Sequence, residues 1–241
     1  MLNPRSKQVR RDAIEISKAN GGYHYGGSFS CAEILINLFD SILRPEDRFV
    51  LSKGHGCWCY YVLLREKGFN PTLEGHPHYE PEQGIFCTAG SMGHGFPTSV
   101  GMALARKMKG ESSKVVVLMG DGECQEGTTW EAILLASRLK LENLVVIIDN
   151  NGIQGSGFVD DILPVIKSVQ AVAQSADWEV LTIDGHSDEL TKIKFNSQGK
   201  PTLIIANTIK GKGVSFMENV PKWHSNWLAG ELEAKAMAEL S

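Results

Sequence analysis

The chain has no excess of basic residues, no long apolar run and no ordered cysteine pattern, and each absence removes a class of function. Lysine and arginine number 24 against 28 aspartates and glutamates, a formal net charge of −4. A protein held to nucleic acid or to an anionic membrane by its general field needs a basic face. Neither partner is therefore expected, although a local basic pocket for phosphate is compatible with this balance. No window approaches the ~18 consecutive apolar residues of a membrane-spanning helix, and the opening MLNPRSKQVRRDAIEI lacks the apolar core of a secretory signal. The five cysteines, at 31, 57, 59, 87 and 124, are odd in number and form no CxxC pair, which predicts reduced thiols in a cytoplasmic protein. Cys57-Trp58-Cys59 has no second half for a metal site and reads as helix core. Repeats, low-complexity runs and linkers are also absent, so residues 1–241 are expected to form one domain. With 42% apolar residues, that length can bury a core on both faces of a sheet.

What the chain does have is concentrated in residues 115–154, VVVLMGDGECQEGTTWEAILLASRLKLENLVVIIDNNGIQ. An apolar run, Val115 to Met119, stops at Gly120-Asp121-Gly122, and a second, Leu144 to Ile148, stops at Asp149-Asn150-Asn151-Gly152. Between them Trp130, Ile133, Leu134, Ser137 and Leu141 recur at helical spacing. Strand, turn, helix, strand is a βαβ unit with parallel strands, and the predicted fold is α/β, a doubly wound, mainly parallel sheet. Parallel strands end on one edge of the sheet, where ligands of open α/β folds bind. Asp121 and Asn151 each lie just past a strand end, so a carboxylate and an amide oxygen can face one site. Hard cations such as Mg²⁺ or Ca²⁺ take such donors, often shared with phosphate oxygens, and glycines before a helix N-terminus admit an anion. A Gly-Asp-Gly after a strand is otherwise a plain turn; the second polar turn, ending the next strand, is what points to a metal-bridged diphosphate.

GDGECQEG…WEA…LENL…IDNNGIQ resembles the thiamine diphosphate motif, and its wording at Glu126-Gly127 and Trp130-Glu131-Ala132 is similar to transketolases. The resemblance implies a thiamine diphosphate-binding fold in which Gly120, Asp121 and Gly122 meet the cofactor. Asp121, Asn151 and the main-chain carbonyl of Ile153 would then hold Mg²⁺ (or Ca²⁺). Elsewhere, GGYHYGGSFS (21–30), taken as a glycine-rich loop, resembles the element that brings His24 to the substrate channel. Ser52-Lys53-Gly54-His55 resembles SKGH, whose histidine, His55, contacts the diphosphate. Gly75-His76-Pro77 places His76 at the substrate; paired with His78 it also suggests zinc, but no third ligand lies at the usual spacing. Gly90-Ser91-Met92-Gly93 resembles the turn that lines the thiazolium, with Met92 in a leucine position. Thr208-Ile209-Lys210-Gly211 places Lys210 near the diphosphate, and Trp223-His224 brings His224 to both cofactor and substrate. His186 reads as a structural turn residue.

The resemblance covers essentially the whole chain but only the N-terminal third or so of a full transketolase. It implies the N-terminal subunit of a split enzyme that transfers a two-carbon ketol unit from a ketose phosphate to an aldose. A separate C-terminal subunit, carrying the glutamate that activates the pyrimidine ring, would complete an α₂β₂ assembly, with Glu126 at a subunit contact. His24, His76 and His224 are the candidates for proton movements at the sugar, since histidine titrates near neutrality. Three alternatives stand beside this reading: a split transketolase specialised for a modified, for example sulfonated, ketose; the α subunit of a 2-oxo-acid dehydrogenase; and a non-catalytic cofactor-binding module.

Overall fold

Runs of Val, Ile and Leu build the central sheet. In chain order the strands are β1 (Arg48–Leu51), β2 (Val115–Gly120), β3 (Leu144–Asn150), the two-residue β4 (Ile153–Gln154) and β5 (Gly157–Phe158), β6 (Glu179–Asp184) and β7 (Thr202–Asn207). Five of them pair in the order β1-β2-β3-β7-β6, every neighbour parallel, while β4 and β5 form a small antiparallel hairpin. The computed structural model describes residues 2–20, 22–195 and 199–241; Gly21, expected in the stop after the first helix and at the head of the glycine-rich loop, lies outside them.

β2 is buried along its whole length, as expected of a strand covered on both sides. Alternate residues serve opposite cores, Val116 and Leu118 one and Val115, Val117 and Met119 the other. The first core is closed by α1 (Pro4–Ser17), α2 (Tyr25–Ser30), α3 (Ala32–Asn37) and α4 (Cys57–Glu66). The second lies under α5 (Gly95–Met108), α6 (Gly127–Arg138) and α8 (Ile166–Ser175); α7 (Val159–Ile162) is a single turn after the hairpin, and α9 (Glu231–Glu239) returns to the first core. The sheet is thus wound on both faces, as the alternating strands and helices predict. α1 starts where Asn3 accepts a hydrogen bond from the Ser6 N–H at 2.8 Å and Pro4 occupies the first turn. No helix among the described residues is long and apolar enough to cross a membrane.

Several boundaries differ from expectation. Tyr25–Ser30 is helical rather than loop, because two glycines that cost helix propensity are held by tertiary contacts described below. The segment after α3 widens into a π-helical turn, Leu38–Ile42. The polar stretch 155–161 contains β5 and part of α7. Cys57 and Cys59 are free and buried in α4, as core residues.

Candidate active site

Register decides where the side chains after the strands fall. Gly120 pairs with Asp149, and Asn150 with Asn207, so β2, β3 and β7 finish level on the carboxyl edge. A cleft of about 280 Å³ opens there. Its walls come from Ser52 to His55 after β1, Gly120 to Glu123 at the end of β2, Asn151 and Ile153 to Ser156 after β3, and Lys210 after β7. Asp121 and Asn151 share this rim: the Gly152 N–H donates to the Asp121 carboxylate at 2.6 Å and the Gly122 N–H at 2.7 Å. Of the residues singled out in the sequence, His24, His55, His76, Gly90, Met92, Gly120, Asp121, Gly122, Asn151, Ile153, Lys210 and His224 all line the cleft. Ser91 is exposed and does not line it.

The floor is a set of oxygens. Asp121 is 2% exposed, yet no lysine or arginine side chain hydrogen-bonds to it among the described residues. Burial, together with the nearby charge of Asp149, pushes its carboxyl up to about 6. Beside it stand the Asn151 amide oxygen, accepting from the Ile153 N–H at 3.1 Å, and the Ile153 carbonyl, accepting from Lys210 Nζ at 2.8 Å. No group of three or more His, Cys, Asp or Glu is placed to hold a metal among the described residues. A cation here therefore depends on amide and carbonyl oxygens around one carboxylate, which is the donor set of Mg²⁺ or Ca²⁺ rather than zinc. Those residues fit such an ion: the carboxylate is buried without a countercharge in contact, and the carbonyl already attracts an ammonium group. The Gln154 side-chain oxygen, on a residue that also lines the cleft, is buried without a hydrogen-bond partner among the described residues. Lys210 is 1% exposed; burial and the neighbouring Lys53 lower it to about 8, leaving a cation suited to a polyanion.

Four histidines form the inner wall. The His24 ring lies 5.7 Å from His55, 5.6 Å from His76 and 5.4 Å from His224 between centroids, and His55 lies 4.8 Å from His224. His24 Nδ1 donates to the His224 carbonyl, and Lys210 Nζ donates to His224 Nδ1 at 3.1 Å. The expectation of groups titrating near neutrality is not met. Burial lowers His24 to about 4; burial and then the Lys210 charge lower His224 to about 3. Burial, with Lys53 and Lys210, holds His55 well below its ordinary value, and His76 is also lowered, by burial and by His78. The four are neutral imidazoles: His24, whose Nδ1 donates, keeps a bare Nε2 that can accept a proton, whereas His224, whose Nδ1 accepts from Lys210, presents an Nε2–H that donates. His78 instead lies outside the cleft beside Glu74, at 3.0 Å. Two glycines of α2 permit the close approach: a Cβ on Gly27 would sit 2.5 Å from the His55 ring, and one on Gly26 2.5 Å from the Trp223 carbonyl oxygen.

In and behind the walls lie buried charges that motif spacing did not reveal. Asp149 and Lys53 are both at most 2% exposed and pair with each other, and Lys53 also donates to the Gly27 carbonyl at 2.7 Å. Glu123 accepts from Ser52 Oγ and from the N–H groups of Gly93, at 3.0 Å, and Gly120, at 3.2 Å. Arg10 makes a two-pronged pair with Glu33 at 2.6 and 2.9 Å. Glu33 also accepts from His186 Nδ1 at 2.8 Å, and His186 Nε2 accepts from the Ile209 N–H at 2.8 Å. His186 is a structural residue, but one that fixes the turn leading to Lys210. The signal available in sequence was a lone charge at the end of an apolar run, as at Asp149, or on the apolar side of an amphipathic helix, as at Arg10.

A doubly wound α/β sheet with its cleft at the carboxyl edge, floored by one carboxylate and lined by lysine and histidine, defines a binder of an anionic cofactor. Residues 6–239 match the family described as transketolase, thiamine diphosphate binding domain. The chain is 37% identical to one subunit of the apulose-4-phosphate transketolase of Actinobacillus succinogenes, covering 99% of this chain and 95% of that protein. It is also 37% identical to the 6-deoxy-6-sulfo-D-fructose transketolase subunit SqwG of a Clostridium species, covering 99% and 96%. Transketolase from Leishmania mexicana superposes with a TM-score of 0.87 at 26% identity, over 100% of this chain and 41% of that one. The chain belongs to the transketolase family, as its thiamine diphosphate-binding part. It has the extent of the relatives called subunits and about two fifths of a single-chain transketolase, rather more than the third expected.

Proposed function

We propose that this chain is the N-terminal, diphosphate-binding subunit of a split transketolase. In this reading residues 1–241 act as one domain in the cytoplasm, joined by a C-terminal subunit in an α₂β₂ assembly, with Glu126 at a subunit contact. The observation that carries it is the meeting of Asp121, Asn151 and the Ile153 carbonyl with Lys210 at one rim, in a chain of the same extent as relatives named as transketolase subunits. Asp121, Asn151 and Ile153 would hold Mg²⁺ or Ca²⁺, while Lys210, His55 and the Gly120–Gly122 turn would meet the diphosphate. Thiamine diphosphate, when bound, supplies the nucleophilic carbon that carries two carbons from a ketose to an aldose. The chain's own part is to bind, orient and move protons. Neutral His24 and His76 are placed to accept protons from sugar hydroxyls and His224 to donate a hydrogen bond to one from Nε2, and such general acid–base help is worth on the order of 10²- to 10⁴-fold in rate. Trp227, 62% exposed and 5.3 Å from the Tyr23 ring, and Met92, 53% exposed, sit in the open where a partner could cover them. The named relatives are all transketolases, which favours a sugar over the 2-oxo acid of a dehydrogenase α subunit. Two measurements test the reading. The chain alone should show no ketol transfer and gain it with its C-terminal partner, and Asp121→Ala should abolish saturable thiamine diphosphate binding by the assembled enzyme. Tight binding by that variant would refute the metal assignment.

A further inference from the structure

Asp149, the penultimate residue of β3, has no exposed surface. Its partners are all donors drawn from different segments: Lys53 Nζ after β1, Ser30 Oγ in α2, Thr208 Oγ1 after β7, and Asn151 Nδ2 at 3.1 Å. A carboxylate satisfies this set because it only accepts. Asn151 is in turn fixed from both sides, since its Oδ1 accepts from the Ile153 N–H at 3.1 Å. Turning the amide over would set NH₂ against that N–H and its oxygen against the carboxylate, two repulsive contacts in place of two hydrogen bonds. A hard cation takes the oxygen of an amide, never its nitrogen. Meanwhile a fully buried ion pair adds little net stability compared with apolar residues of similar size. The Lys53–Asp149 pair therefore needs another reason to be there.

We propose that Asp149 is a positioning residue that fixes which atom Asn151 presents to the divalent-ion site, with Lys53 balancing its charge. The proposal rests on the reading of Asp121 and Asn151 as cation ligands. Partners one step removed from a metal typically change affinity by roughly 10- to 100-fold.

Single substitutions would strand a buried charge, so the test uses two double variants of equal charge, Lys53→Met with Asp149→Asn and Lys53→Met with Asp149→Leu. The asparagine keeps an oxygen that can accept from Asn151 Nδ2; the leucine does not. Ca²⁺ affinity is measured calorimetrically on the chain assembled with its partner and thiamine diphosphate, beside a melting curve for each variant. The Asn double should bind within about threefold of the native protein and the Leu double about 10- to 100-fold more weakly. Equal affinities in the two doubles would overturn the proposal. Absence of Ca²⁺-dependent binding by the native assembly would instead remove the reading beneath it. Should either double fail to fold, the native chain decides: the Asn151 carboxamide protons should exchange slowly with solvent, and exchange at the rate of a free asparagine side chain overturns the proposal.

Discussion

Replacing Glu33 by glutamine should destabilise the protein in a way that fades as the pH falls. Glu33 is 5% exposed and holds the fully buried Arg10 through two hydrogen bonds, and His186 through a third. Burial alone would raise its carboxyl, but the bonds from His186 and Arg10, with the Arg10 charge, outweigh burial and bring it from 4.5 down to about 2. A drop of that size corresponds to about 3 kcal/mol of folded-state stability. Because the folded value is the lower one, this contribution is complete above pH 4.5 and is lost as the pH falls toward 2. Removing one partner of a buried pair costs about 3–5 kcal/mol by general experience, so the two figures agree. Urea denaturation of the native chain and of Glu33→Gln, compared at pH 7 and at pH 3, measures it. The difference should be about 3 kcal/mol at pH 7 and clearly smaller at pH 3. A difference under about 1 kcal/mol at pH 7, or one that does not change with pH, refutes the reasoning.

Lys210→Met removes a buried ammonium from the Ile153 carbonyl and His224. A charged hydrogen bond is worth about 1.5–3 kcal/mol, so affinity of the assembled enzyme for thiamine diphosphate should fall about 10- to 100-fold by calorimetry. Two glycine-to-alanine changes should have opposite signs. Gly26→Ala drives a methyl group onto the Trp223 main chain and should cost about 1–3 kcal/mol, measured by urea denaturation. Gly101→Ala, exposed on α5 with open space around the new Cβ, should add about 0.5–1 kcal/mol and leave ketol transfer unchanged.

How legible the fold is in the sequence depends on whether a local pattern carries it. The strands show themselves because apolar runs end at polar turns, and the runs at β2 and β3 match those strands to within two residues. The cleft is legible for the same reason: Asp121 and Asn151 follow strands whose parallel pairing brings them to one edge. Tyr25–Ser30 reads as loop because its two glycines weigh against a helix, while the contacts that hold it come from Lys53, His55 and Trp223, distant in sequence. The depressed histidines are invisible for a similar reason. Each looks ordinary alone, and burial in the folded cleft lowers all four, with the Lys210 charge adding to it at His24, His55 and His224. Arg10 and Glu33, 23 residues apart, share no motif, so their pairing emerges only with the fold.

The strand order has a consequence for how the pocket comes into being. β7, the last strand along the chain, takes an inner position between β3 and β6, and Lys210 follows it directly. A polypeptide emerging from the ribosome can pair β1, β2 and β3 early, yet it lacks the lysine and one wall until this late strand slots into the gap. Such a long-range insertion is a slow step in folding. The lysine side of the cleft thereby waits on the pairing of β7, and a chain folded only as far as β3 offers an anion no Lys210.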